Sequence, residues 1–145
     1  MSAPTFDQRE TVELRLESHP ENVALARLAL SGAAATVGAS RDVVADLKLA
    51  VTEACANVVK HAYGPNEIGE IVVRYAVEPG VITVEIEDNG SGFEPEVPAP
   101  AEASLNGGRY GMGLMIIRVL ADELEISSSP SGTKVVFVKR FSPES

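Results

Sequence analysis

The sequence predicts a two-layer α/β sandwich, three helices beside an antiparallel or mixed sheet of about five strands. Three observations predict it. Short runs of alternating apolar and polar residues have the period of strands with one buried face. Three longer runs carry apolar residues at helical spacing, and turn-forming Gly, Pro, Asn and Ser separate the segments. At 145 residues and 45% hydrophobic, the chain can build one ordinary core, so one domain over about residues 11–141 is expected behind a tail of residues 1–10.

In chain order, Val12, Leu14 and Leu16 alternate with Thr11, Glu13, Arg15 and Glu17, which predicts a first strand. From Glu21 to Val37, Val23, Ala26, Leu30, Ala33 and Val37 recur at helical spacing, and Gly38 is placed to stop the helix. Ser40 is the next start signal. Asp42 follows in the first turn, and Val43, Leu47, Ala50, Val51, Ala54 and Val58 carry a second helix to about His61. Glu70 to Val77 and Val81 to Glu87 read as strands joined across Glu78-Pro79-Gly80, a turn short enough for a hairpin. Phe93 to Gly108 is rich in Pro, Ala, Glu and Gly without a sustained period, and predicts a long loop. Gly111 to Ala121 returns to helical spacing, and strands over Glu123 to Ser128 and Thr133 to Arg140 flank Pro130-Ser131-Gly132.

Composition excludes several functions. Twelve basic against 21 acidic residues give a formal charge of −9, spread along the chain, which argues against nucleic acid as a partner. The lone Cys55 rules out an internal disulfide and leaves a cysteine-based zinc site without partners. No apolar stretch approaches the ~18 residues of a membrane span, and the N-terminus lacks the pattern of a signal peptide, so a cytoplasmic protein is expected. An acidic chain that binds a polyanion such as ATP has to build positive potential locally, from backbone N–H groups, a helix N-terminus, a few cations and a metal ion.

Three blocks have that chemistry. Glu53 and Asn57 stand four residues apart on the second helix and share a face; an Asn carbonyl suits Mg²⁺, and a carboxylate can take a proton from an attacking hydroxyl. Lys60, three residues further, could reach a phosphate. The same pair also suits a solvated helix face. Asp88-Asn89-Gly90-Ser91-Gly92 directly follows a strand. A carboxylate at a strand end can accept a hydrogen bond from an adenine amino group, and the glycines permit close approach, yet these residue types also make ordinary turns. Gly107-Gly108-Arg109-Tyr110-Gly111-Met112-Gly113 runs into the third helix, where converging N–H groups and Arg109 could hold phosphates; a linker ended by a helix is the alternative. It is neither a Walker A loop nor a Rossmann fingerprint.

The order of the blocks says more than any one of them. A polar helix pair, a strand with DxGxG, a long loop, GxG at a helix start and Gly132-Thr133 at a strand start resemble the GHKL ATPase superfamily, the Bergerat fold. EACANVVKHAY stands as its N box, DNGSGF as its G1 box and RYGMGL as its G2 box. Within the superfamily the chain resembles the anti-sigma-factor serine/threonine kinases of partner-switching systems, from about Val12 to Arg140.

That resemblance implies ATP and Mg²⁺ as cofactors, with Asn57 as metal ligand and Glu53 as general base. It implies that Asp88 binds adenine in a pocket shaped by Gly90, Gly92 and Thr133, with Phe93 at the start of an ATP lid reaching Gly108. Arg109 and Gly111-Met112-Gly113-Leu114 would hold the phosphates. Lys60 matches a lysine found after the N box of many histidine kinases. His61 fits the anti-sigma pattern, and a packed or capping histidine is equally open. The implied activity is phosphorylation of a Ser or Thr on a small anti-anti-sigma antagonist, with a sigma factor as second partner and a homodimer as the working form. A module that sequesters its partner with little kinase activity, or a stand-alone ATPase, is the alternative. A histidine kinase is disfavoured, since His19 and His61 are the only histidines and no dimerisation helix pair accompanies them.

Overall fold

The computed structural model describes residues 10–61, 68–90 and 111–143. Five strands and three helices appear in the order β1 (Glu10–Glu17), α1 (Asn22–Ala35), α2 (Arg41–His61), β2 (Glu70–Glu78), β3 (Val81–Asp88), α3 (Gly111–Leu120), β4 (Glu123–Ser129) and β5 (Gly132–Arg140). The sheet runs β1-β2-β3-β5-β4, and every pairing is antiparallel. The mixed alternative is thereby removed.

Alternation decides which face of each strand is covered. Ile71, Val73, Tyr75 and Val77 of β2, Ile82, Val84 and Ile86 of β3, and Val135 and Phe137 of β5 point into the core. They meet Ala26 and Leu30 of α1, Leu47, Val51 and Ala54 of α2, and Leu114 and Ile117 of α3. The Tyr75 hydroxyl donates to the Ala26 carbonyl at 2.6 Å, so a buried polar group pins α1 to the sheet. Burial raises the pKa of this phenol far above the usual tyrosine range, with Cys55 adding to the shift, and burial pushes the Cys55 thiol up to about 12.

Helix boundaries follow local chemistry. The Ser40 hydroxyl accepts the Val43 N–H at 3.2 Å, an N-cap where the sequence expects one. α1 ends two residues before the expected Val37, because Thr36 turns its hydroxyl back to the Ala33 carbonyl at 2.7 Å and the chain tightens toward Gly38. β1 begins at Glu10, one residue earlier than expected.

The two surfaces of the sheet differ sharply. Its outer face carries Arg74 at the centre of an ion network, 2.8 Å from Glu13, 2.5 Å from Glu85 and 2.8 Å from Glu87. No helix among the described residues is long and apolar enough to cross a membrane.

Candidate functional site

Two clusters of candidate residues stand out, one where α2 meets the first turn of α3 and one at the ends of β3 and β5. Apolar periodicity directs Leu47, Ala50, Val51, Ala54 and Val58 of α2 toward the sheet, so Glu53 and Asn57 project from its flank toward α3. α3 meets them at Gly113. A Cβ there would lie 3.2 Å from both amide atoms of Asn57 and 3.3 Å from Glu53 Oε1, tighter than side chains normally pack. Glycine therefore lets the first turn of α3 press directly onto the amide and the carboxylate. The first and third sequence blocks being far apart in the chain, only the packing of α3 on α2 joins Gly113 to Glu53 and Asn57.

Asn57 carries a further sign of a ligand. Its Nδ2 atom is buried and makes no hydrogen bond among the described residues. An amide's nitrogen and oxygen exchange places by a flip, so that buried position is equally open to the carbonyl oxygen, a hard ligand of the kind Mg²⁺ takes. The donor set fits such an ion. No group of three or more His, Cys, Asp or Glu among the described residues could hold a metal by itself. A divalent ion at Asn57 would draw most of its ligands from phosphate and water, the usual habit of Mg²⁺ at nucleotide sites.

At the sheet end Asp88 is only 7% exposed although it is an acid. Burial raises its pKa; N–H groups of Gly90 and Thr133, which donate to the carboxylate, pull it partly back, and neighbouring Glu87 raises it further. The Gly90 contact measures 2.9 Å. Thr133 pairs with Asp88 across β3 and β5 and is itself buried. Gly132 adopts φ +147°, and a Cβ on it would overlap the Asp88 carbonyl oxygen and lie 3.0 Å from Asn89 Cα. Only glycine lets β5 begin this close to the end of β3. An open groove of about 230 Å³ follows these strand ends, bordered by Asp88, Ser128, Gly132 and Thr133.

The packing thus gathers Glu53, Asn57 and Gly113 in one place and Asp88, Gly90 and Thr133 in another. Leu114 is a core residue, 1% exposed, so only its backbone is free to serve a phosphate. Lys60 is exposed on the last turn of α2, which His61 closes; the His61 side chain lies outside the described residues. Gly111 and Met112 open α3, with the Met112 side chain also outside them. Gly92, Phe93, Gly108, Arg109 and the 93–108 lid expected from the resemblance fall outside the described residues too. One neighbour of the site was missed in the sequence. The Ser128 hydroxyl lies 3.2 Å from that of Thr133, a relation visible only once the β4–β5 register is known.

Comparison with known proteins places this sandwich in a family. Residues 16–139 match the family model for the histidine kinase-like ATPase domain, and the chain belongs to that family. Within it, the chain is similar to curated serine-protein kinases. It is 35% identical to serine-protein kinase RsbW of Bacillus velezensis over 142 residues, 92% of this chain and 87% of the relative. It is 37% identical to serine-protein kinase RsbW of Listeria monocytogenes over 140 residues, 90% of this chain and 87% of the relative. Among solved structures, that of the RsbU and RsbW domains of Rv1364c from Mycobacterium tuberculosis superposes with a TM-score of 0.68 at 22% identity. The match covers 90% of this chain and 32% of that longer one, and at this identity it supports the fold. The histidine kinase domain of the Erythrobacter litoralis EL346 blue-light activated histidine kinase shares the fold at a TM-score of 0.56 and 21% identity, over 83% of this chain and 60% of its own.

Proposed function

We propose that this chain is an ATP-dependent serine/threonine-protein kinase of the anti-sigma type, which phosphorylates a small anti-anti-sigma antagonist. The observation that carries the reading is the contact at Gly113. It brings a carboxylate and an amide from α2 against the N-terminal turn of a helix, so a base, a metal ligand and a phosphate-binding helix end share one locus. Serine-protein kinase relatives more than a third identical over most of both chains support the same activity.

In this reading Asp88 accepts a hydrogen bond from the adenine amino group, with Gly90 and Thr133 fixing its carboxylate and Gly92 and Phe93 completing the pocket. The N–H groups of Gly111, Met112 and Gly113 face the phosphates, together with the backbone of Leu114. Gly108, Arg109, Lys60 and His61 complete the nucleotide contacts from the lid and the end of α2. Glu53 accepts the proton of the incoming Ser or Thr hydroxyl as its oxygen bonds the γ-phosphorus. The bond from γ-phosphorus to the β,γ-bridging oxygen breaks, and ADP leaves with that oxygen. Asn57 would hold Mg²⁺, which would supply positive charge to offset that of the phosphates.

The family resemblance adds a cytoplasmic homodimer with a sigma factor as a second partner. The deciding experiment incubates purified protein with γ-labelled ATP, Mg²⁺ and the single-domain anti-anti-sigma proteins of the same organism. One of these should become labelled on Ser or Thr. Glu53→Ala should cut labelling by about a hundredfold or more, the scale of a lost general base, while ATP binding stays within about threefold. No labelled protein, or equal labelling by Glu53→Ala, would reject the kinase reading; phosphate release without an acceptor would mark an ATPase instead.

A further inference from the structure

A single row of polar side chains closes the core face of the sheet beside the groove. The register pairs Asp88 of β3 with Thr133 of β5, and Thr133 with Ser128 of β4. Side chains of directly paired residues stand on the same face, so the three lie side by side. The rows behind them, Ile86-Val135-Ile126 and Val84-Phe137-Leu124, are entirely apolar. A strand end that met water would explain a polar row. This one does not meet it freely, since Asp88 is 7% exposed, Thr133 5% exposed and Ser128 half-buried, and all three border the groove of about 230 Å³.

Hydrogen bonds divide the work within the row. The Gly90 N–H at 2.9 Å and the main-chain N–H of Thr133 both donate to the Asp88 carboxylate. Thr133 therefore serves Asp88 with its backbone, and its hydroxyl pairs with the Ser128 hydroxyl at 3.2 Å, where either oxygen can be the donor. A hydroxyl carries one hydrogen and two lone pairs. If Ser128 donates, the Thr133 oxygen accepts from β4 and its own hydrogen is left to donate into the groove. The row then offers an acceptor, Asp88, next to a donor, Thr133.

We propose that Ser128 is a positioning residue for the nucleotide base: it holds the Thr133 hydroxyl as a donor to ring nitrogen N1 of adenine, while Asp88 accepts from the neighbouring amino group. The inference rests on the nucleotide-binding part of the proposed function and deepens it. Of the two clusters, this one suits the base, because a buried carboxylate repels phosphates and attracts an amino group. The pairing edge of adenine sets a donor, its amino group, beside an acceptor, N1, and so complements the row. Guanine reverses both, with a carbonyl oxygen toward the carboxylate and an N1–H toward the hydroxyl hydrogen. Groups that are buried to match one pattern reject the reversed one, since they would be left unpaired. Ser128 thereby favours ATP over GTP without touching the base.

The test measures the Kd of the full chain for ATP and for the ATP analogue in which a C–H replaces ring nitrogen N1. Wild type should bind the analogue about three- to tenfold more weakly than ATP, the range of one neutral hydrogen bond. Ser128→Ala should weaken ATP by a similar factor and leave the analogue's Kd unchanged, so the difference between the two nucleotides closes. Ser128→Thr, which keeps the hydroxyl, should retain that difference. Equal affinities in wild type overturn the N1 contact without need of any variant. A wild-type Kd for ATP in Ser128→Ala, equal losses for both nucleotides in it, or a closed difference in Ser128→Thr overturns the positioning role and leaves the proposed function standing. A wild-type protein that binds neither nucleotide overturns both together.

Discussion

Asp88 sets folding stability against its proposed role at the adenine. Its raised pKa means that the folded state binds a proton more readily than the unfolded chain. Stability linked to Asp88 is therefore fully present below the unfolded carboxylate value and declines as pH rises through the folded one. Above the folded value the buried carboxylate costs stability, and in the proposed reading it supplies a charged acceptor for the adenine. Asp88→Asn should accordingly lose about 1.5–3 kcal/mol of ATP binding, the range for a hydrogen bond to a charged group, measured by calorimetry. In the wild type, ATP affinity should fall on the acid side as Asp88 takes up its proton, and in Asp88→Asn that dependence should vanish. The nucleotide-free variant should also melt higher relative to wild type at pH 7 than at pH 4. A flat affinity profile in the wild type would remove Asp88 from the adenine contact.

At the scale of elements, α3 is the piece that completes the site, and both of its ends are held by packing. Gly113 fixes the N-terminal turn against α2. At the other end Lys139 of β5 donates to the Leu120 carbonyl at 2.8 Å and stands 3.7 Å from Asp46 of α2. A cation there satisfies an end carbonyl and opposes the helix dipole. Lys139→Met should destabilise the domain by about 1 kcal/mol, read from urea unfolding at constant m-value. The run of helices and strands was legible because each segment carries its own period and its own stop, as Ser40, Gly38 and Glu78-Pro79-Gly80 do. What was not legible is the placement of β5 between β3 and β4, since Val135 and Phe137 alternate as residues of any half-buried strand would. With the register hidden, the Ser128–Thr133 contact was hidden too.

For the molecule as a whole, a ligand that binds only the folded chain stabilises all of it. Mg-ATP at a hundredfold excess over its Kd should add about 2.7 kcal/mol, a rise in Tm of roughly 5–10 °C for a domain of this size. Differential scanning fluorimetry would check this. Chelating the metal should shrink the rise, and Asn57→Ala should leave only the magnesium-independent part. If Asn57→Ala responds to magnesium as wild type does, Asn57 does not hold the metal. The whole-molecule charge of −9 sharpens the point, because in the proposed reading such a chain has to attract ATP through local dipoles and a cation rather than through its overall field.

The sequence by itself determined the layer architecture and the element boundaries to within a residue or two, and it named the candidate site residues, because periodicity, capping and side-chain type are local properties. Tertiary structure alone decided that Gly113 meets Glu53 and Asn57 and that Gly132 brings β5 against Asp88. Those contacts join residues far apart in the chain. Their distances depend on which faces pack and in what register, and no local pattern carries that information.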